Sequence, residues 1–132
     1  MKVMAVDPGI STGICVIEAD TMDVVRLQTL YSTDLIEYFS NILLIVHPDF
    51  VVLERLPVHV SRELMKIVFF FTDVFSVNPE FKHYELYPGT WKPVAKAQRW
   101  VCALGTDQHQ KDAYCIARYW IWTHHKELGL LR

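Results

Sequence analysis

A chain of 132 residues is one domain's worth of polypeptide, which disfavours any function that needs two full lobes. With 52% hydrophobic and 21% charged residues it can bury a real core, so it is neither a disordered chain nor a polar tail. The net charge of −2 gives no general affinity for polyanions, yet residues 1–81 hold five Lys/Arg against eleven Asp/Glu and residues 82–132 hold eight against four, a swing from −6 to +4; a nucleic acid, if one is bound, should meet the C-terminal half.

The opening Lys2-Val3-Met4-Ala5-Val6 is apolar enough for a strand, but it meets Asp7 too early for a targeting segment. Asp7-Pro8-Gly9 turns the chain, and after Thr12-Gly13 a second apolar stretch runs from Ile14 to Ile17. The polar turn Glu18 to Asp23 leads to a third strand, Val24 to Tyr31, which completes a meander. Ser32, Thr33 and Asp34 offer capping side chains, with Glu37 three residues after Asp34. Leu35, Phe39, Ile42, Leu43 and Val46 then recur at helical spacing until His47-Pro48 stops the helix. Phe50 to Leu53 reads as a fourth strand, continuously apolar as in a buried parallel sheet, with Glu54 at its end. A helix between two such strands makes a parallel crossover.

Ser61 caps a second helix that runs to about Val77, closed by Asn78-Pro79. Its apolar residues, from Leu64 to Phe75, take up too much of the circumference for one contact surface, so one side should meet the sheet and the other a second subunit. Tyr84 to Tyr87 is a fifth strand halted by Pro88-Gly89. A short helical stretch around Val94 to Leu104 ends at Gly105, and Thr106 or Asp107 caps a last helix through about His125. The expected architecture is a single α/β domain over 1–132, a meander of three strands extended by parallel strands and flanked by helices. Its longest unbroken apolar runs, Ile42 to Val46 and Ile67 to Phe71, fall far short of the roughly 20 residues that cross a bilayer, so a soluble intracellular chain without membrane contact is expected. Cys15, Cys102 and Cys115 show neither disulfide nor CxxC metal spacing and read as small hydrophobes.

Four residues carry chemistry: Asp7 ending the first strand, Glu54 ending the fourth, and His109 and Asp112 on the last helix. In a parallel pairing of strands one and four their C-terminal ends share a rim, where open α/β sheets place ligands. His109 and Asp112, three apart, lie on one helical face. Gathered carboxylates repel unless a cation joins them, and hard oxygens with one imidazole suit Mg²⁺ or Mn²⁺. Two such ions can activate water and stabilise the leaving oxygen of a phosphodiester. Singly, each residue has a plainer explanation: Asp7 as a turn former, Glu54 as a partner of Arg55, His109 as a solvated side chain. Their combination on one rim is what points to metal chemistry. Asp107 suits a cap or a pair with Lys111 and stays outside the set, and His47, His59, His83, His124 and His125 show no ligand spacing.

These residues resemble the RuvC-type Holliday-junction resolvases of the RNase H-like superfamily. The matching segments are Asp7-Pro8-Gly9 with Thr12-Gly13, Val51-Val52-Leu53-Glu54, Tyr87-Pro88-Gly89-Thr90-Trp91-Lys92 and His109-Gln110-Lys111-Asp112-Ala113, in family order across almost the whole chain. The resemblance implies a homodimeric, Mg²⁺-dependent endonuclease that nicks four-way DNA junctions symmetrically. Asp7, Glu54, His109 and Asp112 fall on its four metal-binding positions, Lys92 on a basic residue near the scissile phosphate, and the helix 61–77 on its dimer contact. Two features depart from the pattern: Arg55-Leu56-Pro57-Val58-His59 lacks the Glu-x-x-Phe continuation, and Ala95-Lys96-Ala97-Gln98 replaces a longer Gly-rich stretch. Shortness and the Trp-Lys motif look more like phage-borne members, which accept several branched DNAs, so the expected compartment is the cytoplasm of a bacterium or of a phage-infected host cell.

Lys92, Lys96, Arg99 and Lys111, with Arg118, are the candidate DNA contacts, interleaved with Trp91, Trp100 and Tyr114. Trp120 and Trp122 are better read as core. Competing readings are a non-catalytic module that binds branched DNA, a nuclease acting on RNA or an RNA–DNA hybrid, and an actin-like or sugar-kinase phosphate loop at Asp7-x-Gly9 and Thr12-Gly13. The last normally needs a second lobe to close over a nucleotide, so no nucleotide cofactor is expected.

Overall fold

In the computed structural model, which describes residues 1–56 and 61–130, nine elements follow one another: β1 (Lys2–Asp7), β2 (Ser11–Glu18), β3 (Asp23–Tyr31), α1 (Ser32–Val46), β4 (Phe50–Glu54), α2 (Arg62–Val77), β5 (His83–Leu86), α3 (Pro88–Gln98) and α4 (Gln108–Thr123). The five strands form one sheet in the order β3-β2-β1-β4-β5. β1, β2 and β3 pair antiparallel, whereas β4 runs parallel to both β1 and β5. The mixed α/β architecture expected from the sequence is the one observed.

Strand periodicity sorts the core into two layers. Met4 and Val6 of β1 and Val51 and Leu53 of β4 face α1 and α2, where Leu35, Phe39, Phe71 and Phe75 cover them. Phe39, fully buried, meets the rings of Phe71 and Phe75 edge-on at 5.1 and 6.3 Å, which ties the two helices together. Val3, Ala5 and Val52 face the other way, onto Trp91, Ala113, Ile116, Ala117 and Trp120 of α3 and α4. By the same alternation Asp7 and Glu54 are directed to the α3/α4 face.

Several boundaries differ from the sequence reading. Tyr31, extended at ψ 161°, is the N-cap of α1 and makes no side-chain cap bond, so Ser32 and Thr33 fall inside the first turn. The predicted helix from Val94 to Leu104 lies earlier. Pro88 sits in its first turn, where its fixed φ and missing N–H suit a helix start, and Arg99 ends it in the left-handed region at φ 57°. Other ends match: Ser61 Oγ accepts from the Leu64 amide at 3.3 Å, and Asp107 Oδ1 accepts from the Gln110 amide at 2.9 Å. Pro57 to Val60, which include His59, lie outside the described residues. Cys15 and Cys102 are buried, Cys115 is half-buried, and all three are free thiols. Among the described residues no helix is long and apolar enough to cross a membrane.

Candidate active site

Register brings the first two carboxylates together. Val6 pairs with Leu53 across the parallel β1–β4 ladder, so Asp7 and Glu54 are the next residues on neighbouring strands, pointing to one face. Facing them is the N-terminal end of α4, and a cleft of about 440 Å³ is lined by Asp7, Pro8, Gly9, Glu54, Lys92, His109 and Asp112. His109 Nδ1 lies 3.7 Å from Asp7 Oδ2. All four residues singled out in the sequence, and Lys92, therefore share one cavity. Lys96, Arg99 and Lys111 are exposed but do not line it.

The approach of α4 depends on the β1–β2 turn. Thr12, fully buried, closes that turn: its hydroxyl donates to the Gly9 carbonyl at 3.0 Å and accepts from the Gly9 amide at 3.3 Å. This uses up the Gly9 amide, which a phosphate-holding loop would need free. Next to it, Gly13 touches the backbone of α4; a Cβ there would fall 2.0 Å from the His109 carbonyl oxygen, so no side chain fits while His109 stays in place. A polar clamp holds the same helix end. Thr29 Oγ1 donates to Asp107 Oδ2 at 2.6 Å, and buried Gln110 donates to Thr29 Oγ1 at 3.2 Å while its Oε1 accepts from the Thr106 amide at 3.1 Å. Asp107 thus acts as a cap and anchor, outside the cleft as expected.

Burial raises the Asp7 carboxyl to about 8, helped by the neighbouring Glu54 and Asp112 charges. Glu54 is raised as well, again chiefly by burial, against the stabilising hydrogen bond from Trp91. That bond runs from the Trp91 indole Nε1 to Glu54 Oε2 at 2.6 Å, and Gln108 Nε2 donates to Asp112 Oδ1 at 2.7 Å. Arg55, the ion-pair partner considered for Glu54, turns instead to Glu85 at 3.8 Å and to the Tyr87 hydroxyl at 2.9 Å.

Among the described residues, no group of three or more His, Cys, Asp or Glu is set to hold a metal ion as it stands. The donor set still suits a hard divalent cation: three carboxylates and an imidazole line one cleft, and the buried one cannot ionise cheaply without positive charge beside it.

One aromatic expectation needs correction. Trp91, grouped with the DNA-facing aromatics, is only 3% exposed and belongs to the core under α4. The Arg118 guanidinium stacks on Trp100 and Tyr114, 5.1 and 5.9 Å from their ring centres, so it is engaged within its own helix layer. Trp120 is core, as expected.

This sheet order, with helices on both faces, is an RNase H-like fold. Thermus thermophilus RuvC in complex with a Holliday junction substrate superposes with a TM-score of 0.74 over 96% of both chains at 16% identity. The fowlpox virus resolvase in complex with Holliday junction DNA gives 0.61 over 97% of this chain and 99% of that one, also at 16% identity. No family model and no curated protein sequence matches the chain. At these identities the likeness establishes a shared fold.

Proposed function

We propose that this chain is a single-domain, metal-dependent endonuclease that resolves four-way or other branched DNA by paired nicks. The observation that carries the reading is the convergence of Asp7, Glu54, Asp112 and His109 in one cleft on the strand rim. Support comes from the solved structures that share the fold, two of which are junction resolvases with junction DNA. In this reading the three carboxylates and His109 hold Mg²⁺ or Mn²⁺, two ions per site. When bound, the ions supply the positive charge that activates water for attack and stabilises the departing oxygen. The protein's own share is to hold the carboxylates on rigid strand and helix ends and to aim Lys92 at the phosphate.

A single-turnover assay on a synthetic four-way junction with Mg²⁺, run beside linear duplex and an RNA–DNA hybrid, tests the substrate. Preferential cleavage of the junction is expected; preference for the hybrid would contradict it. Lys92 projects from α3 into the cleft and meets developing phosphate charge, so Lys92→Ala should cut the cleavage rate by about a hundredfold with metal affinity nearly unchanged. Calorimetry with Mn²⁺ beside the rate measurement separates the two effects. Lys96 and Arg99, exposed at the end of the same helix, and Lys111 are assigned to the DNA backbone, where they add salt-sensitive affinity.

Paired nicking needs two active sites, and α2 offers the surface for a homodimer. Ile67, Phe71, Val74 and Phe75 cover the sheet, whereas Phe69 is 58% and Val77 76% exposed, with Leu64, Met65, Val68 and Phe70 only partly covered. Light scattering at micromolar concentration should give twice the chain mass, and Phe69→Glu should return the monomer. A wild-type monomer under those conditions would remove the dimer.

A further inference from the structure

Trp91 stands apart from the other aromatic residues because its two polar interactions both end in the cleft. Its ring is buried against α4 in the layer formed by Ala113, Ala117 and Trp120, which fixes the indole plane. The Nε1–H donates to Glu54 Oε2 at 2.6 Å, a short bond from a neutral donor to a carboxylate. Over the ring lies Lys92 Nζ, 5.6 Å from its centre. One rigid side chain therefore touches both the Glu54 carboxylate and the Lys92 ammonium, and it packs on the helix that carries Asp112.

We infer that Trp91 is a positioning residue of the cleft, which orients Glu54 through its indole N–H and steadies Lys92 through its ring. This rests on the metal-dependent reading above and adds a residue to it. The physical reason is geometric. Glu54 sits at the end of a strand with two side-chain torsions beyond Cβ that β-pairing does not fix, and one strong hydrogen bond from a packed donor removes that freedom before an ion arrives. The bond from Trp91 engages Oε2, and the same carboxylate also hydrogen-bonds with the Asp7 carboxyl inside the cleft. Partners of this kind typically change metal affinity by about 10–100-fold when removed.

Two measurements test it. In wild-type protein labelled with ¹³C and ¹⁵N, the Trp91 indole N–H resonance, assigned by through-bond correlations to its own backbone, should be slow to exchange with solvent and should shift on addition of Mg²⁺. In calorimetric Mn²⁺ titrations, Trp91→Phe, which keeps a buried ring and loses the donor, should bind about tenfold more weakly than wild type, with the KM for junction DNA within about twofold and kcat reduced. Equal Mn²⁺ affinity in the two proteins, or a Trp91 resonance indifferent to Mg²⁺ while Mn²⁺ binds, would overturn the positioning role and leave the metal reading standing. Absence of Mn²⁺ binding by wild type would overturn both. The resonance measurement needs no substitution, so it decides the matter even if Trp91→Phe does not fold.

Discussion

Asp7→Asn and Glu54→Gln should each lower single-turnover cleavage of a four-way junction by about three orders of magnitude or more, because each removes a charge that divalent ions require. Both changes are nearly isosteric. Asp7 is buried at the end of β1 and Glu54 half-buried at the end of β4, so an amide of the same shape keeps the packing and deletes only the charge and part of the hydrogen bonding. Asp112→Asn belongs to the same class, whereas His109, exposed at the mouth, should cost less when truncated. Junction binding by each variant, measured by fluorescence anisotropy without divalent metal, should stay within a few-fold of wild type. Cleavage within about tenfold of wild type by both Asp7→Asn and Glu54→Gln would contradict the proposed chemistry.

The second large effect is on stability against pH. Burial and the neighbouring carboxylates raise folded Asp7 to about 8, from an ordinary aspartate value of 3.8 in the unfolded chain. The folded state therefore binds the Asp7 proton more tightly, and stability from this group is fully present below about pH 4 and lost as pH rises through about 8. In EDTA, thermal melts of wild type should fall from pH 5 to pH 8 relative to Asp7→Asn, which has no such proton to lose. At pH 8 the variant should melt several degrees above wild type, since about 1 kcal/mol moves a domain of this size by roughly 3–6 °C. Saturating Mg²⁺ should reverse that order by binding the ionised carboxylates of wild type alone. Parallel melting curves across the range, or no effect of Mg²⁺, would contradict an electrostatically loaded cleft.

Much of this arrangement was legible in the residues. The apolar runs at Val3 and Val51, the helical spacing between them and a carboxylate at each strand end suffice to put Asp7 and Glu54 on one rim. The spacing of His109 and Asp112 puts them on one helical face. What escaped depends on backbone detail or on distant partners. Pro88 reads equally as a strand stop and a helix start, and only the following turn decides. Arg99 ends α3 in a left-handed conformation that glycine usually marks, so the boundary carries no signal. The clamp of Thr29 on Asp107 and Gln110 joins residues 78 and 81 positions apart, a contact no local pattern announces. Trp91, beside Lys92 and near Lys96, looks like an aromatic among DNA contacts; only the folded chain buries its ring and brings its indole N–H to Glu54.

The most direct test is crystallographic: crystals grown with Mn²⁺, measured at a wavelength where manganese scatters anomalously. The account predicts anomalous peaks within the cleft, bonded to the carboxylates of Asp7, Glu54 and Asp112. A cleft free of manganese at saturating Mn²⁺, with those carboxylates where they now stand, would contradict it.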